Sequence, residues 1–186
     1  TTATLTYTIE NHVHDWEFEA SGAVITATCQ NTGCNLGGSG KVTLVKPEDL
    51  VYNGKEKTVD YTVTEGYEDV FGEVKIQCTG NCIDVGTYVA SYIFNENTIA
   101  TVSFTITPRT IIITDIEGLE RVYDGTTKVD LSTATKVVYT NGIDGKPLEF
   151  DLSKAIATAD NANVGAGILV TLDGNITVKG DEKNNY

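Results

Sequence analysis

The chain has 186 residues, a formal net charge of −13 and 40% hydrophobic residues, so it holds enough apolar material for one or two packed domains and is not a disordered polymer. With 26 acidic residues against 13 basic ones, its surface is expected to repel phosphate backbones and anionic membranes, which sets aside nucleic acid and membrane contact as partners. Frequent Thr and Val, 18 Gly, only 3 Pro and no long stretch with an apolar period of 3.6 predict an all-β chain of short strands joined by glycine turns.

Residues 1–9 alternate, with Leu5, Tyr7 and Ile9 on one face and Thr on the other, and read as the last strand of a preceding repeat. Residues 10–46 read as a small three-stranded meander. Its first strand places His12, His14, Trp16 and Phe18 on one face, and its return strand places Ile25, Ala27 and Cys29 on one face. A hairpin closed at or beside Ser21-Gly22 sets Cys29 opposite His12 or His14. The glycine-rich Leu36–Gly40 leads to a third strand from Lys41 to Val45. Three short strands make a marginal core, so a cross-link there makes physical sense.

Residues 47–108 hold about six strand-like runs, among them Leu50–Tyr52, Thr58–Val63, Glu73–Cys78, Gly86–Phe94 and Ile99–Thr107, as expected of a compact antiparallel sandwich. Residues 109–186 repeat the plan. Leu50-Val51-Tyr52-Asn53-Gly54 returns as Arg121-Val122-Tyr123-Asp124-Gly125, and Asp84-Val85-Gly86 returns as Asn163-Val164-Gly165. Ala3–Ile9 also matches Ala100–Ile106, yet nothing like that strand follows Val178, so the second unit is expected to lack its last strand.

These duplicated stretches resemble the immunoglobulin-like repeat modules of large bacterial surface proteins and adhesins. The second unit is similar to the repeat named for its Tyr-Asp-Gly motif, the first to a sister repeat, and His12-Val13-His14-Asp15-Trp16 to an insert between such repeats. The resemblance implies tandem immunoglobulin-like sandwiches preceded by the meander. It implies a structural or adhesive spacer, extracellular on a bacterial surface or secreted, that is monomeric, non-enzymatic and flanked by neighbouring repeats. The alternative is a module that binds a host glycan or protein, with Tyr52, Tyr61, Tyr67, Tyr88, Tyr92, Tyr123 and Tyr139 available to stack on sugar rings.

One constellation carries metal chemistry. His at i and i+2 share a strand face, and Cys29 and Cys34 can complete a tetrahedral set, so His12, His14, Cys29 and Cys34 are candidate ligands of a structural zinc. A Cys29–Cys34 disulfide is the competing reading. Cys78 and Cys82, four apart with no His near them in sequence, are a disulfide candidate. No paired carboxylates, nucleophile motif or phosphate loop is present, so no catalytic residue and no cofactor beyond that zinc is expected.

Overall fold

The structure, a computed structural model, describes residues 12–186, so the expected strand at residues 1–9 lies outside the described part. The chain is predominantly β and divides into two compact units. The first gathers residues up to 50 with 56–82 and 87–105. The second gathers 106–186 with the short segments 51–55 and 83–86.

In the first unit, Trp16–Ser21 (β1), Val24–Cys29 (β2), Ser39–Val45 (β3) and Asp60–Val63 (β4) form one antiparallel sheet in the order β1-β2-β3-β4. The meander is thus continuous with the strand that follows it. β1 and β2 are joined by Gly22-Ala23, with Gly22 at φ +56°, a conformation that glycine enters without steric cost. The register runs Trp16↔Cys29 to Ser21↔Val24, which corrects the expectation that Cys29 faces a histidine squarely. The turn sits one to two residues later than Ser21-Gly22 implied, so every partner slides along the strand.

A single helical turn, Glu68–Phe71 (α1), precedes Ile76–Cys78 (β5), Gly86–Asn95 (β6) and Thr98–Ile106 (β7), which form a second sheet in the order β5-β6-β7. β2 buries Ile25, Ala27 and Cys29, and β7 buries Ala100, Val102, Phe104 and Ile106. This period of two is what a strand with one wet face requires. Phe18 and Phe94 meet at 4.3 Å between ring centroids, and the Tyr92 hydroxyl donates to the Phe71 carbonyl at 2.9 Å. Cys78 and Cys82 form a disulfide, with 6.6 Å between their Cα atoms.

The second unit pairs Ile112–Glu117 (β8) with Lys136–Thr140 (β10), and lays Lys128–Val129 (β9), Phe150–Ala159 (β11) and Val170–Val178 (β12) in the order β12-β11-β9. Ile116, Leu131 and Ala157 make its buried centre, with Ile113, Val129, Val170 and Ile176 packed around them.

The duplicated turns share one device. The Asn53 side-chain oxygen accepts the Lys55 N–H at 3.0 Å, and Asp124 accepts the Thr126 N–H at 2.8 Å, around Gly54 at φ +71° and Gly125 at φ +76°. Each is an Asx turn, in which a short polar side chain stands in for a backbone carbonyl.

Candidate metal centre

β1 begins at Trp16, but the chain before it stays in line with β2. Gln30 N–H donates to the Asp15 carbonyl at 2.8 Å and the Asn31 amide donates to the Val13 carbonyl at 2.7 Å. His12, His14 and Trp16 therefore keep the strand's alternation and lie on the face that carries Cys29. The Cys29 N–H donates to the Gly38 carbonyl at 2.7 Å, which curls the loop after β2 back over that face and brings Cys34 to it.

The four predicted ligands come together. Their donor atoms lie within 4.8 Å of one another, with Cys29 buried and the other three half-buried. His12 Nε2 is 3.3 Å from Cys29 Sγ, and His14 Nδ1 is 3.6 Å from Cys34 Sγ. In a zinc tetrahedron built on bonds of ~2.3 Å to sulfur and ~2.0–2.1 Å to nitrogen, the edges run about 3.3–3.8 Å, so these two edges already have tetrahedral length. Cys29 and Cys34 are free thiols. Burial pushes the Cys34 thiol up, but the backbone N–H groups of Leu36 and Gly38 and the neighbouring Cys29 outweigh it and hold Cys34 below its ordinary value. N–H groups aimed at a sulfur favour its thiolate, the form that binds metal. Two thiolates and two neutral imidazoles around a divalent cation give an electrically neutral centre, which a half-buried site tolerates.

Behind the ligands stand three residues whose support the composition did not reveal. The His14 ring stacks on Trp16, Trp16 packs edge-on against Tyr67 at 5.6 Å, and the Tyr67 ring lies directly over Gly40 of β3. The Tyr67 hydroxyl donates to the Leu36 carbonyl at 3.1 Å, tying the stack to the cysteine loop. A glycine inside a strand marks a close approach of this kind, and β3 takes in Gly40 from the end of the glycine-rich run.

A second polar cluster lies in the second unit. The buried Tyr52 donates to Glu182 at 2.7 Å, while Lys146 donates to Tyr52 at 3.0 Å and to Glu182 at 3.1 Å. Asn185 bridges Asp84 and the Val85 N–H at 3.0 and 2.9 Å. These groups spend their hydrogen bonds on one another. Of the tyrosines considered for sugar stacking, Tyr52, Tyr67 and Tyr92 are buried, whereas Tyr61 and Tyr123 are exposed. Among the described residues no helix is long and apolar enough to cross a membrane.

The described residues form a β protein whose first unit brings four candidate metal ligands together. A family model of the YDG domain matches residues 107–186, fewer than half of the 186, and covers the unit that contains Tyr123-Asp124-Gly125. No curated protein and no solved structure matches the chain.

That match corrects the resemblance. The family found is the YDG domain rather than the immunoglobulin-like repeats of surface adhesins. The spacer or adhesive-stalk role, the adhesin, cell-surface and secreted assignments, and neighbouring repeats as partners rested on that resemblance and fall with it. The exclusion of nucleic acid falls too, because the YDG name is also carried by SRA-type domains that bind modified DNA. The net charge of −13 is spread unevenly along the chain. Residues 107–186 carry 8 basic and 12 acidic groups, a net −4, whereas residues 1–106 carry 5 and 14, a net −9.

Proposed function

We propose that the chain is a non-enzymatic β module whose first sheet is built around a structural zinc ion held by His12, His14, Cys29 and Cys34. One observation carries this reading: four side chains from the segment before β1, the end of β2 and the loop after it, all of metal-binding type, converge their donor atoms within 4.8 Å. Because all four positions are protein ligands, no site is left for an activated water, and the metal's work is mechanical. It fixes the segment before β1 and the loop after β2 to one point. Short strands with few apolar contacts need such a staple, and binding free energy becomes folding free energy.

The absence of chemistry is part of the same proposal. The chain's two histidines are both spent on the metal, and the Tyr52–Lys146–Glu182 groups are paired among themselves. The finer architecture, two immunoglobulin-like sandwiches in tandem, also belongs to this reading and is supported by the two antiparallel sheets in each unit. The Cys78–Cys82 disulfide supports maturation in an oxidising compartment.

Elemental analysis of protein purified without added metal tests the centre. About one zinc per chain is expected, with one released when both cysteines are alkylated. A metal-free protein in which peptide mapping finds Cys29 joined to Cys34 would overturn it.

A further inference from the structure

Glu182 stands between an amine and a carboxamide. Its Oε1 accepts from the Lys146 ammonium at 3.1 Å, and its Oε2 accepts from the Asn185 amide at 3.2 Å. All of these groups belong to the second unit, and short turns deliver them. Lys146 closes a turn with its own N–H on the Ile143 carbonyl. Glu182 and Asn185 come from the 3-10 turn Asp181–Asn184, which the Asn185 N–H on the Glu182 carbonyl completes.

The surroundings of Asn185 are those of an activated amide. The residue is 4% exposed. Its side-chain oxygen accepts the Val85 backbone N–H at 2.9 Å, which polarises the carbon and would stabilise charge developing on that oxygen. Its side-chain nitrogen donates to two carboxylates, Asp84 at 3.0 Å and Glu182 at 3.2 Å, so a departing nitrogen faces groups that can relay protons. The Tyr52 hydroxyl donates to Glu182 at 2.7 Å and accepts from Lys146 at 3.0 Å, holding carboxyl and amine together.

We propose that Lys146 and Asn185 join in an amide cross-link that the folded chain forms once on itself. Glu182 takes a proton from the Lys146 ammonium through Oε1, and the freed lone pair on Nζ attacks the Asn185 side-chain carbon. A C–N bond forms as the carbonyl π pair moves onto the oxygen that faces Val85. When that pair returns, the bond to Nδ2 breaks. Nδ2 departs with the proton that Glu182 passes on through Oε2 and with a second from Nζ. Both protons lost by the lysine thus leave as ammonium, no oxidation occurs, and Glu182 is again a carboxylate. The ion pair is the resting form, so the neutral pair is scarce and the step slow. A bond made once per chain tolerates that, and because the groups are consumed there is no turnover. Nothing in this step rests on the zinc ion.

The intact mass of the chain, reduced and denatured after prolonged incubation at neutral pH, reads the bond. The wild type should be lighter by one ammonia, and proteolysis should release Lys146 and Asn185 in one branched fragment. Lys146→Arg keeps the positive charge without the nucleophile and should retain its full mass. Glu182→Gln should slow the loss about a hundredfold or more, and Lys146→Arg keeps the test open if Glu182→Gln unfolds. A wild-type chain that circular dichroism finds folded but that keeps its full mass overturns the proposal and leaves the cluster a hydrogen-bond network. So does an ammonia lost equally from Lys146→Arg, which would belong to ring closure at Asn53-Gly54 or Asn141-Gly142.

Discussion

The ring of His14 lies against that of Trp16, with 4.7 Å between centroids and planes 13° from parallel. A metal-ligating imidazole is usually oriented by a hydrogen bond, whereas in the proposed centre an aromatic face would do part of that work. Trp16 is the chain's one tryptophan, so its emission reports on the centre. Chelation should shift that emission as His14 is released. Trp16→Leu keeps apolar bulk but removes the flat face, and should weaken zinc binding about 10-fold, the low end for loss of a supporting partner. Competition against a chromophoric chelator measures it, and an unchanged affinity would mean that the stack does not position the ligand.

Gly40→Ala tests the back of the same stack. A Cβ at this position would enter the Tyr67 ring. Displacing that ring should cost about 1–3 kcal/mol, the usual penalty for overpacking, and loosen Trp16 and the cysteine loop together. Chemical denaturation should show the loss, and zinc affinity should fall with it. A fully stable Gly40→Ala protein would show that Tyr67 can move aside freely.

The Tyr52–Lys146–Glu182 cluster should give the second unit both an acid and an alkaline limb. Burial pushes the Glu182 carboxyl up, but the Tyr52 hydroxyl, the Asn185 amide and the Lys146 ammonium overcome this and hold it below the ordinary range. A depressed carboxylate contributes stability above its unfolded value, and that contribution is lost as pH falls through the folded one. Lys146 is held above its ordinary value by its bonds to Tyr52 and Glu182, and Tyr52 is raised chiefly by burial. Both contributions are complete below the ordinary tyrosine and lysine values and disappear as pH rises through the folded ones. The Lys146 side chain is 41% exposed, so solvent screening shrinks its share and Tyr52 dominates the alkaline limb. Denaturation from about pH 3 to about pH 12 should cover both limbs, with Glu182→Gln flattening the acid one. Tyr52→Phe should cost about 1 kcal/mol near neutrality.

Asp124 should tolerate amide but not apolar replacement. Its carboxyl is held below the ordinary range first by the Thr126 backbone N–H, then by the Thr126 hydroxyl and Arg121. Arg121 also donates to the Thr126 and Lys128 carbonyls, closing the loop. Asn53 performs the same turn in the first copy with an amide. Asp124→Asn should therefore melt close to wild type, and Asp124→Ala clearly lower. Because the carboxylate's contribution fades as pH falls through its depressed value, the gap between Asp124→Ala and wild type should narrow in acid. Equal melting of Asp124→Ala and wild type at neutral pH would show the turn to be indifferent to its side chain.

The sequence made the elements legible where alternation was strong. β7 and the first two strands were visible because buried and wet residues alternate without a break. β11 was not, because its buried positions are Ala157 and Ala159, too small to stand out from Thr158 between them. β12 looked like two runs because Asp173-Gly174-Asn175 interrupts its apolar residues, although backbone pairing to Lys154 and Ala155 carries it through. At the metal centre the ligand types survived an error in register, since sliding a hairpin by two residues leaves the same side chains on the same face. Trp16, Tyr67 and Gly40 were illegible as a unit because they meet only through tertiary packing.

The two cysteine pairs stand in opposite redox states within one chain: Cys78 and Cys82 are joined, while Cys29 and Cys34 are free and close enough to share an ion. An oxidant able to close the first pair meets a second dithiol that it could close as well. A cation on the Cys29 and Cys34 sulfurs ties up the lone pairs that such attack needs. In the language of synthesis the proposed ion would be a protecting group. It would impose an order of events on maturation, metal first and oxidation afterwards, and a chain that met the oxidant first would be left with a locked loop and two idle histidines.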